Sequence, residues 1–215
     1  MASITSFKLY HSPGTRSARV RWALLETIGN GFELETLQLF QAQQYSDDYL
    51  NKNPNHNVPM LEIVWSDGRV QYMLESVAMV EWLADAYPDK QLAPAPELTA
   101  ERADYLQIMQ FAGNWMDAML WQIRLHEMIL GPEQADARTI ERYRDKLSNE
   151  VQMQLAERLN RQAYICGDRF TAADIIVGHN TRWARSCGLL QAPVFEAYIE
   201  RLQRRPAYQT AFDDV

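Results

Sequence analysis

Cysteine is scarce: Cys166 and Cys187 are the only two, and neither belongs to a CxxC pair, so no disulfide framework is possible. Positive charge is also in deficit. Lys and Arg total 21 against 28 Asp and Glu, a net −7 that disfavours a nucleic-acid partner held by bulk electrostatics. No apolar run approaches the roughly 20 residues that a membrane span needs, so no membrane partner is expected. No basic segment leading into an apolar stretch opens the chain, which argues against secretion. The four histidines (His11, His56, His126 and His179) are scattered, with no Cys, Asp or Glu at metal-ligand spacing, so no metal is expected. Internal repeats and low-complexity tracts are missing too. What is present is ordinary globular composition, 47% hydrophobic and 23% charged over 215 residues, enough for one large domain or two small ones. The expectation is a cytoplasmic protein that handles a small molecule or another protein.

A change of pattern divides the chain. Phe7 and Leu9 alternate with polar neighbours, and His11-Ser12-Pro13-Gly14 then interrupts. Val20, Ala23, Leu24 and Ile28 fall at helical spacing, closed by Gly29 and Gly31. Leu34, Thr36 and the Leu37/Leu39 pair read as a second strand, which makes a strand–helix–strand unit with a parallel pair. Met60 to Trp65 and Val70 to Leu74 are two further strands, joined by the hairpin signal Ser66-Asp67-Gly68. A helix carrying Val77, Val80, Trp82 and Leu83 follows. Residues 1–87 thus predict a small mixed sheet with helices, an α/β domain of the thioredoxin type.

Residues 88–96, with Pro88, Pro94 and Pro96, read as a linker that Leu92 anchors. Beyond it strand signals stop, and residues 97–215 predict an all-α domain. Tyr105, Ile108, Met109, Ala112, Trp115, Met116, Met119 and Ile123 mark a long helix whose apolar stripe spills onto a second face. Ile140 to Leu159 mark another. Thr171-Ala172-Ala173-Asp174 fits a capping box, and Phe195, Tyr198, Ile199 and Leu202 give a last amphipathic helix ended by Pro206.

Three clusters in the first part carry groups suited to chemistry. His11 to Arg21 spans a strand end and a helix start. Asn53 to Met60 is a loop entering a strand. Glu75-Ser76-Val77-Ala78 sits where a strand gives way to a helix. Two of the three are helix N-termini, whose unpaired N–H groups and partial positive charge favour anions. Each also has a plainer reading: Thr15, Ser17 and Glu75-Ser76 as helix caps, Val58-Pro59 as an edge-strand proline, His56 as a solvated loop histidine, Cys166 and Cys187 as small buried residues.

Taken together, Ser12-Pro13-Gly14-Thr15-Arg16-Ser17-Ala18-Arg19-Val20, Asn53-Pro54-Asn55-His56-Asn57-Val58-Pro59-Met60-Leu61, Glu75-Ser76-Val77-Ala78-Met79-Val80-Glu81-Trp82-Leu83 and Phe170-Thr171-Ala172-Ala173-Asp174-Ile175 resemble the cytosolic glutathione transferase superfamily along nearly the whole chain. Within it the sequence is similar to the bacterial, theta-, delta- and phi-like branches that use a hydroxyl residue. The resemblance implies a cis Pro59 that lets the Val58 backbone pair with the cysteinyl part of glutathione. It implies Glu75 and Ser76 at the γ-glutamyl end and His56 toward the glycine carboxylate. A zwitterionic tripeptide needs an acid at one end and donors at both carboxylates, so the set is chemically coherent.

The same resemblance gives Thr15 the role of stabilising the thiolate of glutathione, with Ser17 and Ser12 as alternatives. A free thiol titrates near 8.5, and lowering it by about two units takes roughly 2.7 kcal/mol of preferential thiolate stabilisation, within reach of a hydroxyl donor at a positive helix start. Arg16 stands where beta-like members carry cysteine. Arg16 or Arg19 raises the local potential if either faces the site. The helical part is expected to hold an apolar electrophile through Tyr105, Phe111, Trp115 and Met119, with core packing as the plain alternative. A homodimer is implied. The competing readings are a glutathione-dependent isomerase or peroxidase/disulfide reductase on the same fold, and a noncatalytic scaffold or regulator.

Overall fold

A computed structural model describes residues 2–214. The chain forms two compact units, one of residues up to Leu92 together with those from Arg204 on, the other spanning Ala93–Gln203.

The first unit is built on four strands: β1 (Ile4–His11), β2 (Glu33–Thr36), β3 (Met60–Trp65) and β4 (Val70–Met73). Their order is β2-β1-β3-β4, with β1 parallel to β2 and antiparallel to β3, and β3 antiparallel to β4. The parallel pair needs a crossover, and α1 (Ser17–Ile28) supplies it. Gly29, at φ 62°, ends that helix in a conformation that side chains resist. Helix α3 (Ser76–Ala86) follows β4 and packs against α1. Their buried faces repeat at three- and four-residue spacing: Val20, Ala23, Leu24 and Thr27 on α1, Met79, Val80, Leu83 and Ala84 on α3.

Strand alternation sends neighbouring side chains to opposite faces, and β1 uses both. Tyr10 packs in a cluster with Leu37, Tyr49, Val58 and Met60, flanked by Leu39 and Leu74. The segment between β2 and β3, including the short helix α2 (Asp47–Leu50), provides Leu37 and Tyr49 to that cluster. This packing explains two boundary differences. Strand β2 stops at Thr36 because Leu37 turns into the cluster and Leu39 opens a 3-10 turn. Strand β4 stops at Met73, and Leu74 lies against the cluster. Leu92 is buried, as its linker position predicts.

Pro206 does not merely end a helix: it is the first residue of another, α10 (Pro206–Ala211), where its missing N–H costs nothing. Helix α10 packs on α1, with Trp22 edge-on to Tyr208 at 4.9 Å and to Phe212 at 6.0 Å. Such pairs contribute about 0.5–1.5 kcal/mol beyond burial. Arg205 donates to both oxygens of Glu26 at 2.6 and 2.8 Å. Residues 204–214 are thus bound into the first unit, although the sequence pattern groups them with the helices.

The second unit contains α4 (Ala100–Gln110), α5 (Asp117–Arg124), α6 (Ala137–Lys146), α7 (Gln152–Arg161), α8 (Ala172–Ser186) and α9 (Pro193–Gln203). Helices α4 and α5 are one continuous run broken by a π turn at Phe111–Met116, and another joins α6 to α7 at Leu147–Val151. A wider turn rotates the apolar stripe, which accounts for its spread onto a second face. The buried Asn180 donates to the Ala112 carbonyl at 2.7 Å inside the first π turn.

The capping box is present. The Thr171 N–H donates to Asp174 at 2.8 Å, and the same buried carboxylate accepts from the Thr171 hydroxyl, the Ile165 N–H and the Tyr198 hydroxyl. Burial pushes this carboxyl up to about 6 against the pull of those donors.

Candidate functional site

The sheet register gathers all three clusters at one end of the sheet. Tyr10 pairs with Met60, and Leu61 with Met73. The end of β1 (His11), the residue before β3 (Pro59) and the residues after β4 (Glu75, Ser76) therefore leave the sheet on the same side. Residues far apart in sequence converge because β3 runs antiparallel to both neighbours.

The first loop is a hydroxyl network. The Thr15 hydroxyl lies 2.7 Å from both the Ser12 carbonyl and the Ser17 hydroxyl. Ser17 Oγ lies 2.7 Å from His11 Nδ1 and 3.1 Å from the Ser12 carbonyl, and it accepts from the Ser12 N–H at 3.1 Å. Ser17 is 0% exposed and Ser12 is buried, whereas Thr15 is half-buried. Of the three hydroxyls proposed from sequence, only Thr15 both reaches the surface and stands at the start of α1. Ser17, the first residue of α1, is instead fully buried with its hydroxyl on Thr15 and His11. Arg19 is buried, and Arg16 is half-buried.

The second loop contains the cis peptide between Val58 and Pro59. It is held from beneath. The Tyr49 hydroxyl donates to the Asn57 carbonyl at 2.6 Å, and the fully buried Asn53 donates to the same oxygen at 2.8 Å. Asn53 also accepts from the Asn55 N–H at 3.0 Å, which folds the loop back and exposes His56. His56 stacks on Tyr45, ring centres 4.8 Å apart.

At the third position Glu75 has φ 70° and ψ 102°, and its side chain makes no cap bond to α3. A non-glycine residue in this region carries strain of order 1–3 kcal/mol, which persists only where the surroundings enforce it. The exposed carboxylate stands at the N-terminus of α3, above the buried Ser76. The sequence reading of these two residues as an ordinary cap does not hold for Glu75.

The candidates for an apolar pocket divide. Tyr105 and Met119 are fully closed, packed as core, and present no surface to a ligand. Phe111 is half-buried and Trp115 is 47% exposed, with Lys146 Nζ 4.7 Å above its ring. Cys166 and Cys187 are half-buried rather than buried. Burial, together with the charges of Asp174 and Asp104, pushes the Cys166 thiol up to about 12, which disfavours its thiolate.

Sequence reasoning missed the supports: Tyr49 and Asn53 beneath the second loop, and Asp214 behind the first. His11 Nε2 lies 3.0 Å from Asp214 Oδ2, and Arg21 donates to that oxygen at 2.7 Å. Asn-Pro-Asn is an Asx-turn signal that could have drawn attention to Asn53. Nothing in local spacing could have found Asp214, 203 residues from His11. Among the described residues no group of three His, Cys, Asp or Glu is arranged to hold a metal, and no helix is long and apolar enough to cross a membrane.

A four-stranded thioredoxin-like sheet with these loops at one end defines a class, and comparison with known proteins agrees with it. Residues 5–85 match the family model "Glutathione S-transferase, N-terminal domain". The chain is 30% identical over 210 residues to "Glutathione S-transferase GstA" of Escherichia coli O157:H7, covering 95% of this chain and 96% of that one. Among solved structures it is similar to "Ternary complex of BphK, a bacterial GST" (30% identity, TM-score 0.80, 96% and 98% coverage). It is also similar to a sphingomonad glutathione S-transferase complexed with glutathione (25% identity, TM-score 0.79, 96% and 97% coverage). The chain belongs to the glutathione S-transferase family.

Proposed function

We propose that the protein binds glutathione at the end of its sheet and activates the thiol for attack on a small, mostly apolar electrophile, with transfer of an alkyl or aryl group to sulfur. The observation that carries this reading is the convergence of Thr15, the Val58–Pro59 loop and Glu75-Ser76 at one sheet end, in a chain of this family. Glu75 offers a carboxylate to the γ-glutamyl ammonium, and Ser76 with the α3 N–H groups offers donors to its carboxylate. Val58 offers its backbone to the cysteinyl unit, with Pro59 fixing the turn, and His56 stands on the loop that would face the glycine carboxylate. Thr15 is the donor to sulfur, which puts the chain in the hydroxyl-using branch. Of the residues expected to meet the electrophile, Phe111 and Trp115 are the two that keep apolar surface exposed. We expect a homodimer working in the cytoplasm, in the detoxifying role typical of the family.

The test pairs retention on immobilised glutathione with turnover of an activated aryl halide. Thr15→Ala should keep retention and lower kcat about 10–100-fold, the value of one oriented donor, while Thr15→Ser restores it. Unchanged kcat in Thr15→Ala would remove Thr15 from the mechanism. A wild-type protein that is not retained would favour a noncatalytic scaffold.

A further inference from the structure

Four side chains form an unbroken line that the reading above uses only at its outer end. Thr15 Oγ1 lies 2.7 Å from Ser17 Oγ, Ser17 Oγ lies 2.7 Å from His11 Nδ1, and His11 Nε2 lies 3.0 Å from Asp214 Oδ2. The middle of the line is sealed, because His11 and Ser17 are both 0% exposed. The inner end is charged: Asp214 pairs with Arg21 at 2.7 Å, and Asp213 pairs with the same guanidinium at 3.2 Å. Asp214 is delivered by the tail that α10 anchors on α1.

We propose that Ser17, His11 and Asp214 form a proton relay that ends on Thr15 and accepts the proton of a thiol bound there. The inference rests on the reading that Thr15 faces the glutathione sulfur, and it makes the chain's tail part of the thiol-activating apparatus.

The proton balance closes without any further reactant. With His11 neutral, its Nε2–H donates to Asp214, and Nδ1 accepts from the Ser17 hydroxyl. The Thr15 hydroxyl turns its hydrogen from the Ser12 carbonyl to Ser17, both 2.7 Å away, and keeps a lone pair toward the thiol. The thiol proton passes to Thr15 Oγ1, the Thr15 proton to Ser17 Oγ, and the Ser17 proton to His11 Nδ1. All three bonds reverse. Sulfur becomes a thiolate that now accepts from Thr15, and the imidazolium is held between Ser17 and Asp214.

The charged groups that face His11 are Asp214 and Asp213 from the tail and Arg21 from α1. Burial holds the imidazole below its ordinary value, so it stands neutral and ready to accept. The Asp214 hydrogen bond and charge act the other way, holding the proton once it arrives. A thiolate at one end of the line and an imidazolium at the other stabilise each other, as in thiolate–imidazolium pairs generally. A carboxylate that fixes the tautomer of a histidine behind a hydroxyl is a recurring device. Ser17, His11 and Asp214 never touch the substrate, so they are positioning residues that act through Thr15.

The experiment follows the ultraviolet absorbance of bound glutathione thiolate against pH in wild type, Asp214→Asn, Ser17→Ala and Thr15→Ala, with calorimetric affinity and a denaturation midpoint for each. Asp214→Asn should bind glutathione within about twofold of wild type. Its bound thiol should titrate about one unit higher. Turnover should fall about tenfold at neutral pH and recover in alkali, where hydroxide ionises the thiol. Ser17→Ala interrupts the line without touching the tail and should shift the titration likewise, so the proposal stands on it if Asp214→Asn folds poorly. Titrations of Asp214→Asn and Ser17→Ala that superimpose on wild type, while that of Thr15→Ala is raised, would overturn the relay and leave Thr15 in place. If Thr15→Ala also leaves the titration unchanged although glutathione binds, the Thr15 assignment falls and the relay with it.

Discussion

Helices α8 and α3 both begin with a carboxylate in the first positions, yet they use it in opposite ways. At α8 the Asp174 carboxylate turns inward and accepts four hydrogen bonds, two from N–H groups and two from hydroxyls. Every acceptor is consumed by the protein, and the group is sealed. At α3 the Glu75 carboxylate makes no cap bond, its backbone is strained, and its side chain remains in solvent. Helix α1 lies between the two: Arg16 supplies no side-chain cap, but the Ser17 N–H donates to the Thr15 hydroxyl at 3.3 Å and the Ala18 N–H to the Thr15 carbonyl at 3.2 Å. Helix α4 is the ordinary intermediate: the Thr99 hydroxyl accepts from the Arg102 N–H at 3.1 Å and does no more. A helix start that satisfies itself stabilises the fold. One that is left unsatisfied keeps its N–H groups and positive potential for an anion.

Substitutions at these starts should separate the two uses. The largest effect belongs to Asp174→Ala, which strands three buried donor residues and should lower unfolding free energy by about 3–5 kcal/mol in chemical denaturation. Glu75→Gly should do the reverse kind of damage. Glycine relieves strain of order 1–3 kcal/mol, offset by about 0.3–1 kcal/mol of lost charge–dipole attraction and about 0.5–1 kcal/mol of added chain entropy. Stability should thus stay within about 1 kcal/mol of wild type while glutathione affinity, measured by calorimetry, falls about 10–100-fold. A Glu75→Gly protein with unaltered affinity would erase the contrast between α3 and α8.

Smaller effects sharpen the scale. Thr99→Ala removes a single cap and should cost about 1 kcal/mol with no change in turnover. The smallest concerns acid. Because burial depresses the His11 titration, the unfolded chain binds that proton first as pH falls; the group's stability contribution is present above about pH 6.5 and lost below it. Asp214→Asn removes the group that opposes this depression, so its denaturation midpoint should fall more steeply than that of wild type between about pH 7 and 5.

Local chemistry was the legible part. The strand–helix–strand unit, the Asp67-Gly68 hairpin, helix α1 over Ser17–Ile28 and the Thr171–Asp174 box all follow from periodicity, turn residues and caps that act within a few positions. The three candidate loops were legible as loops because each sits beside a strand or helix boundary. What escaped depends on contacts across the chain. The support that Tyr49 and Asn53 give the Asn57 carbonyl has no local signal, because it depends on the Tyr10 cluster drawing the loop inward. The terminal Asp213-Asp214 pair has no spacing relation to Arg21 or His11. The apolar stripe through Tyr105 and Met119 mixes core and surface positions because the π turn at Phe111–Met116 rotates it, so periodicity could not separate them from Phe111 and Trp115.

Calorimetric titration of the wild-type protein with reduced glutathione tests the central claim most directly. The account predicts saturable binding, one tripeptide per chain at the sheet end, with a dissociation constant at or below about 1 mM, lost in Glu75→Ala. Absence of binding heat up to about 10 mM glutathione, or equal binding in Glu75→Ala, would contradict it.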